Sequence, residues 1–172
     1  ESSLNRFIEL YPADPLTEYA YYLLALCYYE QIVDVERDAL MTRRALNAFE
    51  EVLVRFPNGS YSGDSKLKAE LTRSHLAGKE MAVGRFYLNK GFYNSALNRF
   101  NNVIRNYDKT YQIPEALYRI IETYLSLGLT KEAVRTQKVS NYNYPDSIWT
   151  KRGNNLLNKK EEIRKNGFFN LF

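Results

Sequence analysis

A spacing of 37 residues governs what this chain can fold into. Tyr87, Gly91, Ala96, Phe100, Val103 and Asp108 return, each 37 positions later, as Tyr124, Gly128, Ala133, Gln137, Ser140 and Pro145. Ala45, Phe49, Val52 and Pro57 match the second half of that unit, and Leu4, Phe7 and Pro12 match its end. A period of this size marks repeat proteins, in which each short unit buries its apolar face only against its neighbours. Three units and the end of a fourth account for most of the 172 residues. The expected organisation is a repeat array over residues 1–148 followed by a C-terminal segment, 149–172.

Each unit reads as a helical hairpin. Val83, Gly84 and Tyr87 share one helical face, Gly91 ends that helix, and Ala96, Phe100 and Val103 recur at i, i+4 and i+7 on the next. No segment alternates over strand length, so the fold class is all-α. Helices approach closely only where side chains are small, which predicts burial of Gly84 against Ala96, of Ala25 against Ala45, and of Ala133. Proline after the second helix cannot continue it and sets the turn into the next unit.

The alternation of small and large positions resembles the tetratricopeptide repeat, an α-solenoid of stacked helical hairpins. Leu24, Ala25, Tyr28, Ala45, Phe49, Val52 and Pro57 fit that pattern only with an insertion. Tyr28 and Ala45 are 17 residues apart where the later units use nine, leaving about eight extra residues between Gln31 and Met41. A helical pattern starting near Ser62 also predicts an unusually long first helix for the next unit. The resemblance implies a concave face built by the first helices. By spacing, its lining is Tyr19, Tyr22, Leu26, Tyr29 and Glu30, then Met81, Arg85, Leu88 and Asn89, then Glu115, Tyr118, Glu122 and Leu125. The tyrosine stripe suits either packing against a neighbouring unit or a peptide-binding groove.

The catalytic inventory is thin. One histidine and one cysteine cannot build a Cys/His zinc site or an intrachain disulfide. His75 reads as a solvated or capped helix histidine, and Cys27, among Leu24, Ala25, Leu26 and Tyr28, as a buried inert thiol. The adjacent pairs Glu50-Glu51 and Glu161-Glu162 point in different directions on their helices, so neither forms an acid-base pair. No phosphate-cradling or dinucleotide-binding glycine loop is present. Asn58-Gly59-Ser60 reads as a turn. No catalytic residue, metal or cofactor is assigned, and the expected class is a noncatalytic binding protein.

Charge is balanced at 18 of each sign over residues 1–148, and the net charge of +4 arises wholly from residues 149–172. This excludes a generally basic surface of the kind that coats nucleic acid. Lys151, Arg152, Lys159, Lys160, Arg164 and Lys165 precede the aromatic tail Gly167-Phe168-Phe169-Asn170-Leu171-Phe172. That segment reads as a capping helix with a solvated basic face, or as a helix that docks or lies on an anionic membrane surface. No apolar run approaches a membrane span. The chain opens Glu1-Ser2-Ser3-Leu4 on what reads as the end of a helix, so a preceding segment, with any targeting signal, is expected.

Leu4-Asn5-Arg6-Phe7-Ile8-Glu9-Leu10-Tyr11-Pro12, Asp14-Pro15, Tyr19-Ala20-Tyr21-Tyr22, the insertion with Asp34 and Arg37-Asp38, and Arg55-Phe56-Pro57-Asn58-Gly59-Ser60-Tyr61 together resemble the BamD (YfiO) family. Glu80-Met81-Ala82-Val83-Gly84-Arg85-Phe86-Tyr87, Ala96-Leu97-Asn98-Arg99-Phe100 and Arg105-Asn106-Tyr107-Asp108 extend the match to about residue 148. Gln137 and Ser140 depart from the usual Phe and Ala. The family comprises outer-membrane assembly lipoproteins of the β-barrel assembly machinery. The resemblance implies a lipid anchor on a cysteine ahead of Glu1, placing the protein at the periplasmic face of the outer membrane. It implies partner binding to the POTRA domains of the barrel-forming subunit BamA through Arg99, Arg105 and Asp108, and contacts with accessory lipoproteins. It also implies a groove at Tyr19, Tyr22, Leu26 and Tyr29 for unfolded barrel precursors. The alternative is another tetratricopeptide adaptor of the bacterial envelope or cytoplasm.

Overall fold

The computed structural model describes residues 1–32 and 39–169, which form helices joined by turns, with no strand among them. The inserted residues Asp34 and Arg37-Asp38 lie outside the described residues, as do the side chains of Arg164, Lys165 and the aromatic tail. The helices are α1 (Ser2–Leu10), α2 (Thr17–Tyr29), α3 (Ala39–Arg55), α4 (Ser62–Asn89), α5 (Tyr93–Asn106), α6 (Ile113–Ser126), α7 (Thr130–Asn143) and α8 (Ile148–Phe169). The expected all-α array of helical hairpins is what forms. The long first helix is α4, at 28 residues.

The repeat is visible in the backbone hydrogen bonds. Phe92 N–H donates to Tyr87 O at 2.9 Å and Gly91 N–H to Leu88 O at 3.0 Å; Leu129 to Tyr124 and Gly128 to Leu125 repeat the pair at 2.8 and 3.2 Å. This pair of hydrogen bonds closes a helix only if the residue after the cap is left-handed, and Gly91 and Gly128 have φ of +78° and +77°. The periodic glycines are thus required by backbone geometry, and the first closure sets Phe92 edge-on to Tyr87, centroids 6.3 Å apart. The second helices end in a different turn. Tyr11, Phe56, Tyr107 and Tyr144 each donate to the carbonyl four residues back, and Asp14, Gly59, Thr110 and Ser147 then donate to those aromatics' carbonyls. One aromatic-capped turn therefore occurs four times among the described residues.

Two compact units divide the chain, the first ending at Lys79 and the second beginning at Glu80. In the first, α1 packs on α2 and α2 on α3. Ala25, Ala45, Phe49 and Ala69 form its core, flanked by Tyr22, Leu26, Tyr28 and Tyr29. In the second, α6 packs on α5, α7 and α8, with Ile121, Leu125, Ala133 and Leu157 at the centre of that packing. Ala96, Phe100 and Val103 of α5 are also fully buried. Gly84 is buried as expected, but it faces the Phe100 ring: a Cβ there would lie 2.4 Å from Phe100 Cε1. A glycine on one helix and a phenylalanine on the next are therefore one packing decision.

The two departures from the aromatic pattern have a physical reason. Gln137, 3% exposed, sends Nε2 to the Thr150 carbonyl at 3.0 Å and to Asn141 Oδ1 at 2.9 Å. Ser140 Oγ and Thr150 Oγ1 share a buried hydrogen bond of 2.7 Å. A polar seam thus joins α7 to α8 where the preceding repeat uses Phe100. At the position 37 residues after Gly84 stands Ile121, so the bulk moves from the second helix to the first. Gly153 admits the glutamine, since a Cβ there would lie 2.0 Å from Gln137 Oε1.

Candidate functional site

In the first unit, the tyrosine stripe of α2 is met by the chain's own later residues. Tyr22 stacks on Tyr61 with centroids 4.7 Å apart, and Tyr19 approaches the same ring at 5.2 Å. Tyr22 donates its hydroxyl proton to Asp64 Oδ2 at 2.6 Å. Tyr29 meets Phe49 edge-on at 5.9 Å and lies beneath the Lys68 ammonium, 5.3 Å from the ring centroid. Leu26 packs on the core of that unit. The turn bearing Tyr61 is held by Glu18, whose Oε1 accepts the Tyr61 N–H at 2.8 Å and occupies the space a side chain at Gly59 would need. Of the four stripe residues, only Tyr19, 40% exposed, remains open to solvent; the others are half-buried.

Burial first, and then the hydrogen bond and negative charge of Asp64, push the Tyr22 phenol up to about 12. A raised folded-state value means that the neutral phenol stabilises the fold, so its contribution is complete below the ordinary tyrosine value of 10. It is lost as pH rises from there through about 12. We expect Tyr22→Phe to remove one late-titrating tyrosine from an ultraviolet alkaline titration and to flatten the loss of stability across that window. An unchanged late titration would show that the Tyr22–Asp64 bond does not persist in solution.

In the second unit, Arg99 of α5 pairs with Glu80 of α4, Nη1 to Oε2 at 3.1 Å. Glu80 is 8% exposed while the Arg99 side chain is 44% exposed. The pair borders a recess of about 320 Å³ lined also by Tyr87, Ser95, Asn98 and Asn102. Arg105 and Asp108 are exposed. Asp108 lines a different recess, with Ile104, Ile113, Leu117, Val139, Asn143 and Tyr144. The structure therefore joins Arg99 to Glu80 and places Asp108 apart from that pair. Glu80 was not singled out by sequence reasoning, because nothing within its own helix signals a partner 19 residues away.

The expected lining of the first helices is partly corrected. Met81 and Leu125 are 1% and 6% exposed, so they are core and face no groove; an offset of one residue rotates a side chain by about 100° around the helix, enough to turn it inward. Arg85, Glu115, Tyr118 and Glu122 do come together. Arg85 binds Glu115 at 3.1 Å, and Arg119 binds Glu115 at 3.3 Å and Glu122 at 2.9 Å. Burial opposes the charge on Arg119, but Glu122 and Glu115 outweigh it and hold its pKa above the ordinary value. Its guanidinium and that of Arg152 lie 5.5 and 4.8 Å from the Trp149 centroid, and Tyr118 stands against the same indole at 5.4 Å. Arg119 and Trp149 were missed, and Arg152 was read only as part of a basic face, because their shared role arises only when α8 packs on α6.

Two further expectations change. His75 is half-buried, with Nδ1 enclosed and without a hydrogen-bond partner among the described residues, so it is not a solvated histidine. Cys27 is half-buried rather than enclosed. Among the described residues no group of three or more His, Cys, Asp or Glu side chains could hold a metal ion. Among them, too, no helix is long and apolar enough to cross a membrane. What the two units offer is partly satisfied ion pairs, exposed aromatics and shallow recesses, which is the chemistry of protein recognition.

The family YfiO, outer membrane lipoprotein, matches residues 1–139. An outer membrane protein assembly factor BamD of Rickettsia prowazekii is 51% identical over 146 residues, covering 85% of this chain and 58% of that protein. The BamD of Caulobacter vibrioides is 47% identical over 154 residues, covering 90% and 50%. That of Neisseria meningitidis serogroup A is 31% identical over 156 residues, covering 85% and 58%. The chain thus spans about half to three-fifths of the length of these curated relatives.

Proposed function

The chain belongs to the YfiO family of outer membrane lipoproteins, and from that membership we propose that it is a noncatalytic scaffold of the β-barrel assembly machinery at the periplasmic face of the outer membrane. Its partner is the barrel-forming subunit BamA, bound through POTRA domains, with accessory lipoproteins on the same later repeats. The observation that carries this reading is the state of Arg99. Only Nη1 is engaged by Glu80, so Nε and Nη2 have no partner among the described residues and can fork onto a carboxylate of a docking protein. Glu80, being buried, holds the guanidinium in place without neutralising its outer edge.

The test is a pull-down and titration with purified POTRA domains. Arg99→Gln is expected to weaken binding about tenfold, and Arg99→Glu further, because reversal sets a carboxylate against the partner's. Reversal also sets it against Glu80, so melting curves must accompany both variants. Equal affinity for wild type and a folded Arg99→Gln removes Arg99 from the contact. No binding by the wild type removes BamA as the partner.

The tyrosine stripe supports a second contact, with unfolded barrel precursors. Because Tyr22, Leu26 and Tyr29 are largely engaged with Tyr61, Asp64 and Phe49, the client contact centres on Tyr19 and the exposed edge of Tyr22. Photocrosslinking from position 19 to a precursor's C-terminal peptide is expected to exceed that to a scrambled peptide. Equal yields would mark the stripe as packing alone.

A further inference from the structure

The second unit carries a groove between α5 and α7 that the Arg99 contact does not use. Leu117 of α6 forms its floor, with Ile104 of α5 and Val139 of α7 as walls, and these three residues join two recesses of about 300 and 210 Å³. Leu117 is 6% exposed and Val139 is 48% exposed. Along the groove, Asn101, Ile104 and Asp108 follow one another on α5 and its terminal turn, as Arg135, Val139 and Asn143 do on α7. The two helices therefore run in the same sense along it. Two helical turns at 1.5 Å per residue give a length of about 10 Å.

We propose that this groove docks one amphipathic helix of a partner protein, lying antiparallel to α5 and α7. A strand would find no backbone partners there, since the N–H and C=O groups of both walls are spent within their helices, whereas a docking helix satisfies its own. The charges select the direction. Asp108 and the C-termini of α5 and α7 make one end negative, which suits the N-terminus of an incoming helix. Arg135 makes the other end positive, which suits its C-terminal carbonyls and an acidic last turn. Neither Asp108 nor Arg135 is in an ion pair among the described residues, so both charges are available.

This inference extends the scaffold reading to a third contact and rests on it only for the existence of a partner. The test uses the whole chain and two stapled helical peptides of about four turns. Both carry Leu at i, i+3, i+4 and i+7; one has Lys in its first turn and Glu in its last, and the other has these exchanged. Methyl chemical shifts of Ile104, Leu117 and Val139 report binding. The Lys-first peptide is expected to move all three and to bind several-fold more tightly than its counterpart. Val139→Asp is expected to weaken it about tenfold or more, and the double variant Asp108→Lys with Arg135→Glu to reverse the preference. All three substituted positions are exposed, and circular dichroism checks that the variants fold. The proposal is overturned if the three methyls stay unmoved, if both peptides bind equally to wild type and double variant, or if the methyls shift on dilution of the chain alone, which would make the occupant a second copy. Loss of POTRA binding is read separately through Arg99, so either reading can fail without the other.

Discussion

Phe100→Ala is expected to remove about 3 to 5 kcal/mol from the stability of the second unit, the usual range for emptying a fully buried aromatic site. That is a large share of the ~5 to 15 kcal/mol that a domain has. The ring is wholly enclosed and sits against Gly84, which has no side chain of its own to fill the void. Gly84→Ala supplies the opposite perturbation. An exposed helical glycine gains about 1 kcal/mol on replacement by alanine, but here the new methyl would meet the ring at 2.4 Å. The sign should therefore invert, to a loss of about 1 to 3 kcal/mol from overpacking. Urea unfolding of both single variants and the double variant decides the matter. In the Phe100→Ala background, Gly84→Ala should cost nothing and should recover part of the loss. Strict additivity of the two effects would show that Gly84 and Phe100 do not share a contact.

Gly153→Ala is expected to destabilise the docking of α8 by about 1 to 3 kcal/mol, again against the intrinsic helical preference for alanine. Gln137 can move away from the added methyl only by giving up its bonds to the Thr150 carbonyl and Asn141, in a place from which water is excluded. Hydrogen exchange should locate the effect, with faster exchange of amides in the first turns of α8 and little change in α5. In a Gln137→Ala background the same substitution should be neutral or stabilising. If Gly153→Ala is stabilising in the wild-type chain, then the seam between α7 and α8 is looser than the hydrogen bonds describe.

Both predictions concern contacts that the sequence could announce only in part. The 37-residue period, the cap glycines Gly91 and Gly128, and the burial of Ala45, Ala96 and Ala133 were legible because they rest on local rules: the phase of a helix, a positive φ, the size limit where two adjacent helices touch. Those rules act within a few residues, and the repeat presents each of them more than once. The hairpin array and the family membership follow from the same signals, since a repeat with a distinctive insertion and distinctive irregularities is itself a long pattern. Even the replacements at Gln137 and Ser140 were visible as departures.

What they do was not visible. Whether Gln137 is an error in the pattern or a buried hinge-pin depends on Gly153 and Thr150, which no spacing rule connects to it. The tyrosine stripe of α2 was legible as a stripe, but its cover, Tyr61 and Asp64, lies some 40 residues on and arrives only when α4 folds back. Glu80 beneath Arg99, and Trp149 against the guanidiniums of Arg119 and Arg152, belong to the same class. Sequence alone determined the period, the helices, the turns and the family. Tertiary structure decided which polar and aromatic groups are satisfied and which remain open to a partner, because satisfaction depends on distances between separate helices, and those are set by the packing of side chains that are remote along the chain.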